Sequence, residues 1–374
     1  MARLGDICTV ISGSTPKTSV EEYWDGDIKW ITPAEINEDS FYITDTVRHI
    51  TKRGKCDTGL TVMPIGTVIL SSRAPIGKTA IAGCEMCCNQ GFKNLICSDK
   101  IYNEYLYFFL KGKTDFLNSL GRGATFKEIS KSIVEDIDIP LPDYATQMKT
   151  ALQMRKIESI ILLRKQQLSK LDELVKSRFI EMFDGKGYPQ VTIGELVTYK
   201  VPSVKKSFAP TDLIKYIDIS SIDNIRNVMT GYTEYVLQEA PSRAQQHIKT
   251  GDIVISTVRP NLKNVAITTY EDDNLVASSG FCVLRANKCL PSYLMAIVCS
   301  EKFTEAMIKL VTGANYPAIK DSDVLNYVVA LPPIKIQEQF ATFVDQVDKS
   351  KFEIQKSLEK LETLKKALMQ KYFW

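Results

Sequence analysis

The feature that most constrains what this chain can fold into is an internal duplication. Leu4-Gly5-Asp6-Ile7 returns as Ile193-Gly194-Glu195-Leu196, and residues 66–71 return as residues 251–256. Further pairs follow in the same order: residues 28–31 with 214–217, 91–92 with 280–281, 123–126 with 313–316, and 141–142 with 331–332. Chance matches would not stay collinear, so the chain consists of two copies of one unit. A period of this length indicates duplicated domains rather than the short stacked repeats of a solenoid.

Within each copy, short apolar runs lie between turn residues, which is typical of the strands of a small α/β domain. An apolar face at helical spacing, such as Leu106, Phe109 and Leu110, indicates a helix. These patterns predict strands over residues 67–70, 137–139, 253–255 and 328–329, and helices over residues 104–120 and 293–310.

Residues 144–183 and 334–373 have a composition typical of helices, because neither segment contains Pro or Gly and both are rich in Lys, Glu, Gln and Leu. Each carries a heptad seam that basic residues interrupt. The seam positions are Ile157, Ile161, Arg164, Leu168, Leu171, Val175, Arg178 and Met182 in the first segment, and Val347, Lys351, Ile354, Leu358, Leu361, Lys365, Leu368 and Tyr372 in the second. A helix of this length spans about 60 Å, too long to bury its seam on one small domain. The two helices are therefore predicted to pair with each other.

The predicted fold class is α+β, with two similar α/β domains separated by two long helices. If a pseudo-two-fold axis relates the copies, the helices must pair as an antiparallel coiled coil that acts as a spacer. The predicted boundaries are residues 1–143 and 185–333 for the domains, and 144–184 and 334–374 for the helices.

The composition is that of an ordinary globular protein, with 44% hydrophobic and 24% charged residues. No run approaches the ~18 apolar residues that a membrane helix needs, and the first residues lack the apolar core of a signal peptide. We therefore expect a cytoplasmic protein. Nine cysteines are too sparse for a disulfide scaffold, which favours reduced thiols. A net charge of +3 neither requires a nucleic-acid partner nor excludes one.

The sequence lacks recognisable motifs of catalysis or metal binding. Residues 72–79 resemble a phosphate-binding loop, but Ser72 stands where the first Gly is needed and Pro75 removes an amide. Cys84, Cys87, Cys88 and Cys97 have no counterpart in the second copy, so buried thiols are favoured over zinc. We predict that this chain has no catalytic residues, no metal site and no cofactor of its own.

The loops of both copies share Ser, Thr, Asn, Arg and Lys beside Gly, the residues that contact phosphates and base edges. Solvated turns have a similar composition, but the duplication favours recognition, because the framework is kept while the polar loop residues differ. The candidate DNA-contacting residues of the first copy are Ser12, Ser14, Thr15, Lys17, Ser72, Arg73, Lys78, Arg122, Thr125 and Lys127. Those of the second copy are Lys200, Ser203, Lys205, Lys206, Thr257, Arg259, Lys263, Asn264, Asn315 and Tyr316.

The collinear motifs resemble the specificity subunit of type I restriction-modification systems across essentially the whole chain. The motifs that carry the resemblance are Leu4-Gly5-Asp6-Ile7, Ser12-Gly13-Ser14-Thr15-Pro16, residues 23–33, Asn89-Gln90-Gly91-Phe92, Gly123-Ala124-Thr125 with Ile129, and Leu141-Pro142 followed by Gln147 and a long helix. The second copy departs from this pattern, because Tyr216 and Asp218-Ile219 replace the Trp and the Thr-Pro.

The resemblance implies that each domain is a target-recognition domain for one half of a bipartite sequence in double-stranded DNA. It implies that the helices set the unread spacer and dock two methyltransferase (modification) subunits, with restriction subunits joining in some systems. S-adenosylmethionine, ATP and Mg would then belong to those partner subunits.

Two alternatives remain open at the level of sequence. A stand-alone enzyme with an unrecognised site would show turnover when the purified chain receives DNA and cofactors. A scaffold that binds protein would fail to shift DNA in a gel, with or without a methyltransferase partner.

Overall fold

The structure is a computed structural model that describes residues 1–123, 127–198, 201–313 and 317–374. It contains two compact units: unit 1 comprises residues 1–166 and 354–374, and unit 2 comprises residues 167–353. Two 40-residue helices, Tyr144–Phe183 (α6) and Ile334–Phe373 (α12), each begin in one unit and end in the other.

Unit 1 is built on a five-stranded sheet of order β2-β9-β6-β7-β4, a three-stranded sheet of order β5-β3-β8, and the pair β1-β10. The strands are Ala2–Arg3 (β1), Cys8–Ser12 (β2), Trp24–Ile31 (β3), Tyr42–Ile43 (β4), Arg48–Ile50 (β5), Val68–Leu70 (β6), Thr79–Ala82 (β7), Cys87–Cys88 (β8), Lys93–Cys97 (β9) and Asp138–Ile139 (β10). The helices preceding α6 are Leu4–Ile7 (α1), Lys52–Thr58 (α2), Asn103–Gly112 (α3), Thr114–Leu120 (α4) and Lys131–Glu135 (α5).

The five-stranded sheet of unit 1 is buried on both faces. Successive side chains of a strand point to opposite faces. Val68 and Leu70 accordingly pack against the helices, while Ile69 packs towards the three-stranded sheet with Ile31 and Phe92. A strand buried on both sides reads as a continuous apolar run, which is why residues 67–70 were recognisable in the sequence.

Unit 2 repeats this plan with two four-stranded sheets, β12-β21-β18-β19 and β16-β13-β20-β17, and the pairs β11-β22 and β14-β15. Its strands are Gln190–Thr192 (β11), Val197–Thr198 (β12), Leu213–Ile217 (β13), Ile222–Asp223 (β14), Val228–Met229 (β15), Thr233–Val236 (β16), Ala244–His247 (β17), Ile253–Ser256 (β18), Val265–Ile267 (β19), Leu275–Ser278 (β20), Phe281–Ala286 (β21) and Val328–Ala330 (β22). Its shorter helices are Ile193–Leu196 (α7), Val204–Ser207 (α8), Pro291–Val298 (α9), Glu301–Lys309 (α10) and Asp321–Leu325 (α11).

In unit 1, the beginning of α6 packs against the end of α12. The Tyr372 hydroxyl donates a hydrogen bond to Gln153 Oε1 (2.9 Å), and Lys365 Nζ donates one to Glu158 Oε1 (2.5 Å). Because the residue number falls on one helix as it rises on the other, the two segments run antiparallel. The Phe373 ring lies 5.0 Å from that of Tyr105, so the end of α12 completes the core of this unit.

In unit 2, the end of α6 packs against the beginning of α12 in the same way. The Phe183 ring lies 4.8 Å from that of Tyr293 and 5.3 Å from that of Phe340, and Lys351 pairs with Asp172. These segments also run antiparallel.

The predicted long helices and the four predicted strands are confirmed, with shifts of a residue or two at the strand ends. The two single helices predicted over 104–120 and 293–310 are wrong, because each is broken into two. In unit 1 Lys113 leaves the helical conformation (φ −104°, ψ 17°) beside Gly112, whose lack of a Cβ leaves room for Met369 Cε of α12. In unit 2 the Ser300 hydroxyl caps a new helix by accepting a hydrogen bond from Phe303 N (3.2 Å).

A buried glutamine ties each long helix to its unit. Gln147 Oε1 accepts from Tyr102 N (2.8 Å), and its Nε2 donates to the carbonyls of Pro142 (2.9 Å) and Lys100 (3.0 Å). Gln337 repeats two of these bonds, accepting from Leu290 N and donating to Pro332 O, both at 2.8 Å.

We expect Gln147→Leu to lower the free energy of unfolding by about 3 kcal/mol, because it strands a buried amide and two carbonyls without partners. Chemical denaturation followed by circular dichroism measures this change. Gln166→Leu, at an exposed position of the same helix, is the matched control and should alter stability by less than about 0.5 kcal/mol. Equal effects of the two substitutions would contradict the role of Gln147.

Candidate nucleic-acid interface

The loop that follows β2 is fixed by a hydrogen bond and close backbone contacts with the segment at Cys88. Ser14 N donates to Cys88 O (3.1 Å), and a Cβ at Gly13 would collide with that same carbonyl oxygen. The indole N–H groups of Trp30 and Trp24 donate to the carbonyls of Ser14 (3.1 Å) and Lys17 (3.3 Å). The backbone of this loop is therefore fixed, while the Ser12 and Lys17 side chains are exposed and those of Ser14 and Thr15 are partly exposed.

The same two tryptophans support an arginine that the sequence patterns did not indicate. The exposed Arg48 guanidinium lies 3.6 Å from the centre of the Trp24 ring and 5.6 Å from that of Trp30. A guanidinium stacked on an aromatic face is preorganised and keeps its N–H groups free for a ligand. No local motif marks Arg48, because the contact depends on the pairing of β3 with β5.

The second candidate region of unit 1 comprises the turn after β6 and the residues before α5 that the structure describes. Ser72 N donates to Gly91 O (2.8 Å), and Ile129 N donates to Ser72 O (3.0 Å). Arg122 and Glu128 exchange two backbone hydrogen bonds of 3.0 Å. Arg122 and Lys127 are exposed, and Arg73 is partly exposed.

The charges in this region are only partly balanced. Glu128 lies 3.1 Å from the buried Lys93 Nζ and 4.0 Å from Arg73 Nη1. Lys78 Nζ donates to the Pro33 carbonyl (2.9 Å), a neutral acceptor that leaves its charge uncompensated. The region can thus attract an anion.

Unit 2 repeats the framework of this region with different side chains. Thr257 N donates to Gly280 O (3.0 Å), and Ile319 N donates to Thr257 O (2.9 Å). Arg259 is exposed, while Lys263 Nζ pairs with Glu301 Oε1 (2.5 Å). The hydrogen bond and the charge of Lys263 lower the pKa of Glu301.

Ser203, Lys205 and Lys206 of unit 2 are exposed at the short helix α8. His247 Nε2 lies 2.9 Å from Asp273 O, and Nδ1 lies 3.0 Å from Ser207 Oγ. Since a carbonyl only accepts, Nε2 carries a proton. In the neutral ring Nδ1 therefore accepts from the Ser207 hydroxyl, a bond that fixes the end of α8.

Two candidates occupy positions that do not suit direct contact with DNA. Ser72 is 0% exposed and Asn264 is 8% exposed, so we reassign both from contact to support of the loops. Asn264 O accepts from Ser256 N (2.9 Å), as Lys78 O accepts from Ser71 N (2.8 Å) in unit 1. Thr125, Lys200, Asn315 and Tyr316 lie outside the described residues.

Cys84, Cys87, Cys88 and Cys97 are free thiols in the structure. Within residues 1–123, 127–198, 201–313 and 317–374, no three His, Cys, Asp or Glu side chains are grouped as metal ligands. Cys87 and Cys88 are buried as predicted, whereas Cys84 and Cys97 are only partly buried. Burial raises the pKa of Cys88 to about 12. No helix in the described part of the chain has the length and apolar character to cross a membrane.

We expect Gly13→Ala to lower the free energy of unfolding by about 1–3 kcal/mol, because the new methyl group collides with two backbone carbonyls. Thermal and denaturant unfolding measure the loss. Gly231→Ala is the control, since nothing lies within 4 Å of a Cβ there. A Gly13→Ala protein as stable as the Gly231→Ala protein would show that the loop is not held as described.

A model of a known protein family matches both halves of this chain. A family model for the type I restriction modification DNA specificity domain matches residues 1–173 and 186–366. The MjaIX type I restriction enzyme specificity subunit of Methanocaldococcus jannaschii is 28% identical over 400 aligned residues, covering 99% of this chain and 91% of that protein. The EcoKI specificity subunit of Escherichia coli K12 is 21% identical, covering 100% of this chain and 88% of that protein.

Solved structures show the same fold. A crystal structure of a type I restriction-modification S subunit from M. genitalium matches with a TM-score of 0.59 at 14% identity, covering 100% of this chain and 95% of that one. A chain from a structural study of assembly and conformational transition in a type I R-M system matches with a TM-score of 0.60 at 17% identity, covering 99% and 96%.

Proposed function

The chain belongs to the family of type I restriction-modification specificity subunits, and from this premise we propose how it divides the recognition of DNA. Residues 1–143 read one half of a bipartite target through the loops around Arg73, and residues 185–333 read the other half through the loops around Arg259. The chain itself catalyses nothing. Methylation of the target, with S-adenosylmethionine, falls to two modification subunits, and ATP and Mg serve restriction subunits where these are present.

The observation that carries this proposal is a framework of hydrogen bonds that recurs in both units with different side chains attached. The bonds through Ser72 in unit 1 recur through Thr257 in unit 2. The next residue is a charged Arg73 in one unit and an apolar Val258 in the other. Two equal frames with different side chains attached suit an asymmetric, two-part target.

We further propose that α6 and α12 form one antiparallel coiled coil that sets the distance between the two half-targets. The antiparallel packing of helix segments within each unit supports this, as does the heptad seam, whose residues are less exposed than their neighbours. Exposed apolar side chains along the helices, including Met148, Leu152 and Leu163, would dock the modification subunits. Such a complex works on cellular DNA, and hence in the cytoplasm.

Replacing Arg73 and Lys78 together by Ala should weaken DNA binding of the complex with modification subunits by about tenfold or more. The slope of log affinity against log salt should fall by about 0.9 for each phosphate that the variant no longer neutralises. Fluorescence anisotropy with a target duplex at several salt concentrations measures both quantities.

The matched control replaces Arg3 and Lys100 by Ala, which removes the same charge. Arg3 precedes the start of β2 and Lys100 follows the end of β9, whereas the reading loops lie at the opposite ends of these paired strands. If the two double variants behave alike, the loop residues of unit 1 are merely solvated.

Lengthening the coiled coil should lengthen the unread spacer of the target. One heptad inserted at each unit boundary, after Gln166 in α6 and after Glu353 in α12, adds about 10.5 Å, or about three base pairs. Mapping methylated adenines in cells that carry the variant reads out the new spacing. An unchanged spacer in a folded, active complex would refute the spacer role.

A further inference from the structure

The hairpin formed by β14 and β15 presents an unusual tip. It is a two-stranded ribbon joined by residues 224–227. Ile225 at its tip is 90% exposed, the largest exposed fraction among the large hydrophobic side chains of the described chain. Leaving such a side chain in water forgoes roughly 2 kcal/mol of burial, and turns usually carry Asn, Asp, Gly or Ser instead.

The tip is held in place by hydrogen bonds. Asp223 Oδ1 accepts from the backbone amides of Ile225 (2.9 Å) and Arg226 (3.0 Å), which shapes the turn. The Asn224 side chain donates to the Leu262 carbonyl (2.8 Å). Asn227 Nδ2 donates to the carbonyls of Lys263 (3.1 Å) and Val265 (3.2 Å). Ile225 is therefore displayed in a fixed position beside the 259–263 loop.

The surroundings of the tip suit a polyanion. Arg226 and Arg259 are both exposed, and neither forms an ion pair within the described residues. An apolar side chain on a tip that also carries Arg226 and contacts the loop of Arg259 matches the surface of DNA, where phosphates flank apolar groups on the bases.

We propose that this hairpin enters the major groove and that Ile225 contacts the 5-methyl group of a thymine in the half-target read by unit 2, while Arg226 binds a neighbouring phosphate. This inference rests on the proposed function. The major groove admits a two-stranded ribbon, whereas the minor groove is only about 6 Å wide. Thymine methyl groups are the apolar feature that the major groove offers.

The test replaces single thymines by deoxyuridine, which pairs identically but lacks the methyl group. The full chain, assembled with its modification subunits, is titrated against duplexes that carry one such replacement at each thymine of the half-target. For the unaltered protein, one replacement should weaken binding about fourfold, the effect of losing one buried methyl group. For Ile225→Ala, the same replacement should have no effect, and binding to the thymine duplex should be weakened by a similar factor.

The control variant is Ile308→Ala, on an exposed face of α10, which should respond to deoxyuridine like the unaltered protein. If the Ile225→Ala and unaltered proteins respond alike at every position, or if the half-target contains no thymine, the inference is overturned while specific binding persists. If the complex binds no particular sequence at all, the proposed function itself fails.

Discussion

The packing of two phenylalanines at helix ends is the constraint on which the architecture depends. Phe373 packs on Tyr105 in unit 1, and Phe183 packs on Tyr293 in unit 2. Each unit therefore buries the end of a helix that began in the other unit, and unit 1 is incomplete without residues 354–374. Because each long helix is tied at its start by a buried glutamine and at its end by a buried ring, it cannot slide along its axis without loss of core packing.

This fixed core explains how the corresponding loops of the two units can share a backbone framework and still carry different side chains. The loops are closed by backbone hydrogen bonds, such as those through Ser72 and Thr257, and these bonds impose little on the side chains beyond the turn. The side chains of Arg73 and Arg259 take no part in these backbone bonds, so under the proposed function their substitution would change the surface that the loops offer to DNA. Where side chains do support loops, as Trp24 and Trp30 do for residues 14–17, they are themselves buried.

The sequence predicted the elements whose hydrophobic period persists over many residues. It did not predict the features that depend on tertiary contacts. The long helices follow from a heptad pattern that continues through 40 residues without Pro or Gly. The break at Lys113 does not, because Lys is a good helix former and its departure from helical geometry is visible only in the folded chain. The same applies to the candidate site: composition selected the loops, but the burial of Ser72 and Asn264 and the stacking of Arg48 depend on neighbours distant in sequence.

Each unit holds an exposed group in a fixed position, but the two units do so with different contacts. Such a difference is the expected outcome of duplication followed by divergence of the surface. Unit 1 stiffens an exposed guanidinium by stacking Arg48 on a tryptophan, whereas unit 2 stiffens a hairpin tip by amide bonds from Asn224 and Asn227. In both cases the entropy of ordering the exposed group is lost on folding rather than on binding. In the proposed function, a surface prepared in this way would discriminate between sequences, because a mismatched base would meet a contact whose rearrangement costs free energy.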